Sequence, residues 1–514
     1  MKGNQLKIGA ILSYLSLILG TVTSIAYTPV MLRLLGQSEY GLYSLANSVI
    51  GYLGVLNFGF GIAITRYTAK YKAMNDKEGE YNLNGMFIIV YSIIAFIIVI
   101  AGSVLVLNVG NIFDKSLTVF ELKTIKILMA LMIFNMAISF LFGIFGSIIA
   151  AYEKFILLKT VGLIQTIINP FIMLPLLLMG YKSVSLTLSS TVVSIVCITI
   201  NVFYCFKILK VKIKFNKMDF RLLKEITGYS FFIFLNILVD KIYWSTDQVI
   251  LGIVSGTTMV AVYSVGSTFN TYYMSFSTAI TSVFLPRITQ MVTNNVSNKE
   301  ISDLFIKTGR IQYIIISFLL GGFILVGRNF ISLWAGEQYD SAYFIALIIM
   351  IPLTVPLIQT LGITILQAKN MHKFRSNVYI AIAILNLLIS IPFAQMFGGI
   401  GCAIGTSISM VIGNIVIMNI YYYKKINIDI PLFWKNVASL SLPILISLIL
   451  GIFINTYLVE PTIVTLLIKG LIYIIIFTAL MWFKGMNKFE KSLLLGPINN
   501  IISKLQKKER SVGL

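Results

Sequence analysis

Residues 84–109 read NGMFIIVYSIIAFIIVIAGSVLVLNV, an apolar run of 26 residues without a charged side chain. A helix needs about 20 mostly apolar residues to cross the hydrocarbon core of a bilayer. A strand of a membrane β-barrel is about half as long and alternates between apolar and polar residues. The stretch therefore predicts a membrane-spanning helix, and the rest of the chain repeats the pattern.

The composition agrees with this interpretation. The chain has 514 residues, of which 58% are hydrophobic and 11% are charged. A soluble globular protein carries about 25% charged residues. Because there are too few charges to cover a globule of this size, the apolar surface must face lipid. This excludes a soluble enzyme, a disordered chain and a fibrous repeat.

Apolar runs separated by short polar breaks predict fourteen spans, so the expected fold class is an all-α integral membrane protein. The spans lie near 8–35, 41–66, 84–109, 121–150, 158–180, 184–206, 226–254, 259–284, 309–335, 342–366, 376–397, 400–423, 436–458 and 463–484. The first run shows no convincing small-residue cleavage site, and we expect it to remain as a membrane helix rather than be removed as a signal peptide.

The basic residues predict the orientation. Of the 40 Lys and Arg residues, 32 fall before the first span, after the even-numbered spans or in the tail, and the odd breaks are nearly bare. Since Lys and Arg accumulate on the cytoplasmic side, both termini are expected in the cytoplasm. This distribution accounts for most of the net charge of +21, and no nucleic-acid partner is expected.

An internal repeat predicts two lobes. Ala151 and Ala368, Asn169 and Asn386, and Pro175 and Pro392 share an offset of 217 residues. Repeats of this kind are common in secondary transporters. The expected organisation is two six-helix lobes followed by two further helices. Its parts are an N-lobe 1–206, a basic cytoplasmic linker 207–225, a C-lobe 226–423, the last two helices 424–484 and a cytoplasmic tail 485–514.

The tail itself has an amphipathic pattern. Ile498, Ile501, Ile502 and Leu505 are spaced as on one face of a helix, with basic residues among and after them. Such a helix suits the anionic inner leaflet. A passive tail is an equally good interpretation.

Two ionisable residues in the seventh span are the leading candidates for a binding site. Charged groups inside a membrane are costly and usually face a partner or a wet cavity. Asp247 follows Asp240 by two helical turns, and Lys241 is offset by about 100° from Asp240. We expect Lys241 and Asp247 to face a cavity; an internal structural ion pair is the alternative.

Three arginines complete the candidate substrate-binding set. Arg33 lies near the outer end of the first span, and Arg66 and Arg310 lie near the inner ends of the second and ninth. Guanidinium groups offer paired donors to phosphate, so these residues could receive a diphosphate headgroup. The alternatives are snorkelling to the headgroups for Arg33 and a topogenic role for Arg66 and Arg310.

The sequence lacks the common catalytic, nucleotide-binding and metal-binding motifs. It contains no nucleotide-binding P-loop, no acyl-transfer elbow and no metal-ligand cluster. The single histidine is His372, and the three cysteines, Cys197, Cys205 and Cys402, lie in or beside apolar runs. We expect no enzyme activity, no metal, no cofactor and no transport powered by ATP on this chain.

Several short segments, in order along residues 8–425, resemble those of the polysaccharide-exporter (Wzx-type oligosaccharide flippase) branch of the multidrug/oligosaccharidyl-lipid/polysaccharide superfamily. The segments are LLGQSEYGLY at 34–43, NFGFG at 57–61, Arg66-Tyr67, DQVILG at 247–252 followed by Val262-Tyr263, FLP at 284–286, WAGEQY at 334–339, LQA at 366–368 and GGIGCA at 398–403.

The resemblance implies fourteen helices and movement of polyprenyl-diphosphate-linked oligosaccharide across the bacterial cytoplasmic membrane, for surface polysaccharide biosynthesis. Membrane lipids, a polysaccharide polymerase and glycosyltransferases are the implied partners. The first lobe lacks the buried acids expected of the drug-exporting branch. A cation-coupled multidrug exporter and a non-transporting scaffold of an envelope-polymer assembly complex remain the alternatives.

Overall fold

In the computed structural model, residues 2–495 are described except 217–218, 283, 295, 370, 459–461 and 494; the predicted amphipathic tail helix lies outside them. The described residues form helices and no strands, as expected in hydrocarbon, where each backbone polar group needs a partner within the protein. The helices are α1 (Lys2–Leu35), α2 (Gln37–Gly51), α3 (Phe60–Ala73), α4 (Lys77–Phe113), α5 (Val119–Ala151), α6 (Phe155–Leu178), α7 (Lys182–Phe203), α8 (Phe220–Val254), α9 (Gly256–Ser282), α10 (Leu285–Thr293), α11 (Asn298–Trp334), α12 (Ser341–Ile358), α13 (Thr360–Ala368), α14 (His372–Met410), α15 (Met418–Lys424), α16 (Ile430–Tyr457) and α17 (Ile463–Leu480).

The helices account for the fourteen predicted spans. Among the described residues, 11 helical stretches are long and apolar enough to cross a membrane. One of them, Phe374–Lys424, has 51 residues and contains Gly398 in a non-helical conformation, so it holds two spans. The remaining two are α8 with 35 residues and α9 with 27. The predicted all-α membrane fold is confirmed.

The second predicted span is interrupted in its middle. A 3₁₀ turn, Tyr52–Asn57, follows α2, and Phe58 and Gly59 then adopt left-handed conformations with φ of 50° and 68° before α3 begins. Glycine takes this conformation without the steric cost that a Cβ imposes. The turn leaves Asn57 exposed partway along a membrane span.

The backbone forms two compact units. Unit 1 comprises Met1–Val265 and Ala383–Thr406, and in it α5 packs against α2, α3, α4 and α7. Local capping sets where α5 begins: Thr118 accepts a hydrogen bond from the Glu121 backbone, and the Glu121 carboxylate accepts one from the Thr118 backbone. Such a capping box satisfies donors that the first helical turn leaves free. The predicted lobes, 1–206 and 226–423, divide the chain differently from these two units, and they stay a prediction.

Unit 2 comprises Gly266–Ile382 and Ser407–Leu514, and its α11 packs against α12, α16 and α17. Apolar and aromatic side chains fill the space between these helices. The buried cluster contains Ile314, Leu325, Leu440, Ile444, Tyr473, Phe477 and Met481.

A buried ion pair joins three segments of unit 2. Arg310 Nε lies 2.6 Å from Glu490 Oε1, and both side chains are less than a tenth exposed. The Nη1 atom of Arg310 also donates to the carbonyl of Asn436 and to the Ser439 hydroxyl. The guanidinium thereby ties α11 to α16 and to the segment that follows α17.

Large apolar side chains cover the outer faces of the helices. On α4, Phe96 is 66% exposed and Leu107 is 77% exposed. Exposed apolar surface of this extent marks contact with a membrane or a partner. Together with the length of the spans, it establishes a multi-pass membrane protein.

We predict that Glu490→Ala strongly destabilises unit 2. The change leaves the Arg310 charge buried without its partner, which costs about 3–5 kcal/mol. The unfolding midpoint of the purified protein in detergent should fall clearly. The matched control is Asp340→Ala, which removes the partner of the exposed Arg328 and should change the midpoint little. Equal midpoints for the two variants would contradict the assigned role of the buried pair.

Candidate functional site

Lys241 lies in α8 beside the interruption of the second span. Its side chain is half-buried, and no ion pair or hydrogen bond joins its ammonium group to another described residue. A methyl group on Gly51, at the end of α2, would lie 3.2 Å from Lys241 Nζ. An ammonium group in a predicted membrane span that forms no ion pair with a described acid calls for water or an anionic ligand.

Asp247, two turns further along α8, has a different environment. Its side chain is 2% exposed. Its Oδ2 atom accepts hydrogen bonds from the Tyr263 hydroxyl at 2.5 Å and from the Thr406 hydroxyl at 2.6 Å. Its Oδ1 atom has no partner among the described residues. Asp247 therefore does not pair with Lys241, and hydroxyl groups rather than a cation surround its carboxylate.

Further oxygen atoms of α14 extend this buried cluster. Asn386 Oδ1 accepts from the Ser390 hydroxyl at 2.8 Å and lies 3.2 Å from the Thr406 hydroxyl. The side chains of Asn386, Ser390 and Thr406 are all buried. We call Asp247, Tyr263, Asn386, Ser390 and Thr406 the Asp247 cluster.

The Asp247 cluster has the chemistry of a proton or small-cation site. Carboxylate, hydroxyl and amide oxygens are the ligands that hard cations prefer. A buried carboxylate with no counter-charge is costly, and binding a proton or a monovalent cation removes that cost. In the described part of the chain, no group of three or more His, Cys, Asp or Glu side chains is arranged to hold a metal ion.

At one end of unit 1, polar contacts join α2 and α5 to the corner between α8 and α9. Glu121 Oε1 accepts hydrogen bonds from the hydroxyls of Ser38 and Thr257, both at 2.7 Å. A Cβ on Gly41 would lie 1.9 Å from the carbonyl oxygen of Thr257, so only glycine allows this approach. We call Ser38, Gly41, Glu121 and Thr257 the Glu121 contact.

Nearer the opposite end of α8, aromatic and polar side chains contact the turn before α3 and α3 itself. The rings of Phe58 and Phe234 stack with centroids 4.6 Å apart. The Tyr67 hydroxyl donates to Glu225 Oε1 at 2.9 Å. Helix α8 thus has side-chain contacts on both sides of Lys241.

The structure places the three predicted arginines in different surroundings. Arg33 is exposed in the last turn of α1. Arg66 is exposed in α3, with its guanidinium 5.8 Å from the centroid of the Tyr67 ring. Arg310 is buried, and its nitrogens donate to Glu490, Asn436, Ser439 and Gly485. A role for Arg310 in substrate binding stays a prediction, and its visible role is to hold helices together.

Sequence reasoning missed most members of the Asp247 cluster. Tyr263 appeared only as part of a family-like segment, and Ser390 and Thr406 were not singled out. These hydroxyls lie 16, 143 and 159 residues from Asp247 in the sequence. The available signals were polar residues inside apolar runs, which occur at many other positions in this chain.

A family model described as "Polysaccharide biosynthesis protein" matches residues 7–292. The protein named "Putative O-antigen transporter" of Escherichia coli (strain K12) is 29% identical over 181 residues, which are 34% of this chain and 42% of that protein. "Probable flippase AglR" of Haloferax volcanii is 25% identical over 174 residues, 33% of this chain and 36% of that protein. The chain thus spans less than half the length of these relatives.

Solved structures share the fold over most of the chain. One described as "Lipid II flippase MurJ, inward closed conformation" aligns with a TM-score of 0.71 and 17% identity, covering 92% of this chain and 97% of that chain. An inward-facing multidrug resistance MATE family transporter of the MOP superfamily aligns with a TM-score of 0.63 and 14% identity, covering 81% and 96%. At these identities the likeness concerns the fold.

We predict that the Asp247 cluster binds Na⁺ or a proton. Replacing choline chloride by sodium chloride, or lowering the pH, should raise the unfolding midpoint of the purified protein by about 2 °C or more. Asp247→Asn keeps the side-chain shape and should abolish the effect. Asp240→Asn, an exposed change on the same helix, should retain it. An unfolding midpoint that neither Na⁺ nor lower pH changes would refute the site. An Asp247→Asn variant whose midpoint rises as much as that of the parent protein would also refute it.

We also predict that the Glu121 contact brings Ser38 and Thr257 within cross-linking distance. The hydroxyls of Ser38 and Thr257 lie 3.4 Å apart, so the double variant Ser38→Cys/Thr257→Cys should form a disulfide readily under mild oxidation. Adding Gly41→Val should slow disulfide formation markedly, because the new side chain collides with Thr257. The control is Gly110→Val, since a Cβ at that position meets no atom within 4 Å. Unchanged cross-linking in the Gly41 variant would contradict the close approach.

Proposed function

Because the chain belongs to the polysaccharide biosynthesis protein family, we propose that it is a flippase for polyprenyl-diphosphate-linked oligosaccharide. It acts in the bacterial cytoplasmic membrane with both termini in the cytoplasm, and it is not an enzyme. The observation that carries the proposal is Lys241, a cation within a membrane span that no described acid neutralises. An anionic diphosphate is the counter-charge that such a site accepts.

The headgroup is the part of this substrate that needs a protein to cross the membrane. A glycan and its diphosphate cannot cross about 30 Å of hydrocarbon unaided, because each hydroxyl and charge loses its water. The protein supplies polar partners along the way while the polyprenyl tail stays in lipid. Lys241 contacts the diphosphate, and Arg33 and Arg66 guide it near the outer and inner ends of the path.

Transport proceeds by alternating access. The Glu121 contact and the Tyr67–Glu225 hydrogen bond lie toward opposite ends of α8. Breaking them in turn opens the path around Lys241 first to one side of the membrane and then to the other. An inside-negative potential assists outward movement of two negative charges by about 4.6 kcal/mol at 100 mV.

Three features support a flippase over a drug exporter or a scaffold. The family model describes polysaccharide biosynthesis, two relatives carry transporter or flippase in their names, and Lys241 is a cation that no described acid neutralises. The MATE transporters share the fold only, so their drug substrates are not transferred to this chain. A polysaccharide polymerase and glycosyltransferases are the proposed neighbours in the same synthesis.

The decisive test uses inverted membrane vesicles supplied with a fluorescent polyprenyl-diphosphate oligosaccharide. Vesicles that contain the protein should move the glycan into the lumen, where a glycosidase added outside cannot reach it. Equal protection in vesicles without the protein would refute the proposal. Export of a cationic dye in place of the glycan would favour the drug exporter, and movement of neither, by a folded protein, would favour the scaffold.

We predict that Lys241→Ala lowers the initial rate of this transfer at least about tenfold, because a desolvated charge–phosphate contact contributes 1.5–3 kcal/mol. Lys241→Arg retains the positive charge and should keep a substantial part of the rate. The matched control is Lys115→Ala, which removes an exposed lysine between α4 and α5. A Lys241→Ala variant that transfers the glycan as fast as the control would show that Lys241 does not contact the transported headgroup.

A further inference from the structure

Residues 206–216, which we call the basic strap, connect α7 to α8 through an extended segment. After a π-helical turn, Tyr204–Ile208, Lys210 adopts a left-handed conformation with a φ of 53°. Residues 210–215 then run without helical structure toward α8. The strap therefore joins two long helices of a membrane protein at one surface.

The strap is fixed to the beginning of α4. The Lys214 backbone N–H donates to the carbonyl of Tyr81 at 3.0 Å, and Asn84 Nδ2 donates to the carbonyl of Lys212 at 3.3 Å. A Cβ on Gly85 would lie 2.0 Å from the carbonyl oxygen of Lys214. These contacts set the strap in one position rather than leaving it as a loose loop.

The strap carries basic and apolar side chains, and several of each kind are exposed, whereas Val211 is buried and Lys214 pairs with Glu78 at 3.5 Å. Lys207, Lys210 and Lys212 are exposed and form no ion pair with another described residue. Phe206, Ile208 and Phe215 are 44%, 56% and 59% exposed. A water-facing loop has no need of large exposed apolar side chains, whereas a membrane interface accommodates them beside lysines.

We propose that the basic strap binds the headgroups of anionic phospholipids, with its apolar side chains in the adjacent acyl region. Lysines near a membrane surface attract anionic lipid, and the attraction falls off within the screening length of the salt. The strap has the charge for this partner, its position between two membrane helices keeps it at the bilayer surface, and the contacts with α4 hold its lysines in place. The binding site is distinct from the predicted tail helix and from Lys241.

The test places a reporter on the strap of the full-length protein. The Phe215→Trp variant is reconstituted in nanodiscs that contain brominated phosphatidylglycerol or, at equal bromine content, brominated phosphatidylcholine. Fluorescence of the otherwise unsubstituted protein, which has 4 tryptophans, is subtracted. Quenching by the anionic lipid should exceed quenching by the zwitterionic lipid about twofold at low salt, and the difference should shrink at high salt.

Matched charge variants separate recognition of the strap from general attraction. Adding Lys207→Gln, Lys210→Gln and Lys212→Gln should abolish the difference between the two lipids. Adding Lys424→Gln, Lys425→Gln and Lys435→Gln, three exposed lysines of unit 2, should preserve it. Equal quenching by both lipids in the parent protein would overturn the proposal, as would a lack of quenching by either lipid. Gel filtration of each variant confirms that the protein remains folded.

Discussion

Hydrocarbon offers no hydrogen-bond partner and no counter-charge, and this constraint governs the molecule from its backbone to its candidate site. The described backbone is helical because helices satisfy their own N–H and C=O groups. Two buried charged side chains find polar partners in the same way: Glu490 neutralises Arg310, and hydroxyls donate to one oxygen of Asp247. Like Lys469, which is 6% exposed in α17, Lys241 has no described residue that neutralises it, and it lies beside the interrupted second span. Its partner must be water or an anion, which makes the surroundings of this residue the centre of our functional account.

Lys241 lies in α8 beside the interrupted second span, and the contacts around these elements can break and reform. A continuous helix over 41–66 would have no left-handed residues, but Phe58 and Gly59 separate α2 from α3. The Glu121 contact consists of a few hydrogen bonds and a close glycine approach, whereas apolar packing dominates the helix pairs of unit 1. A few polar contacts cost little to break and remake, as alternating access requires, while the packed helices keep their arrangement. Asp247, further along α8, belongs to a cluster of oxygen atoms that we predict to bind a proton or a cation.

Much of the fold could be predicted from the sequence, because the length of an apolar run alone identifies a membrane helix. The alternation of basic and nearly bare breaks then supports the number of spans. The interruption at Phe58 was missed, although the NFGFG segment contains Gly59, which adopts a left-handed conformation there. The sequence does not show that Asp247 is buried while Asp240 is exposed. Both residues lie on one face of the helix, and only tertiary packing distinguishes them. Arg310 shows the same limit: its buried partner, Glu490, lies 180 residues away.

The central claim is that water and an anionic headgroup reach Lys241, and thiol labelling of the Lys241→Cys variant tests it most directly. The thiolate that reacts forms readily only where water is present. A membrane-impermeant thiol reagent should modify this variant in intact vesicles, and polyprenyl-diphosphate oligosaccharide should slow the reaction. Lys115→Cys in the loop between α4 and α5 is the reactive control, and Phe96→Cys is the inert one, because Phe96 is 66% exposed near the middle of the third span. A Lys241→Cys variant as inert as Phe96→Cys would contradict the account.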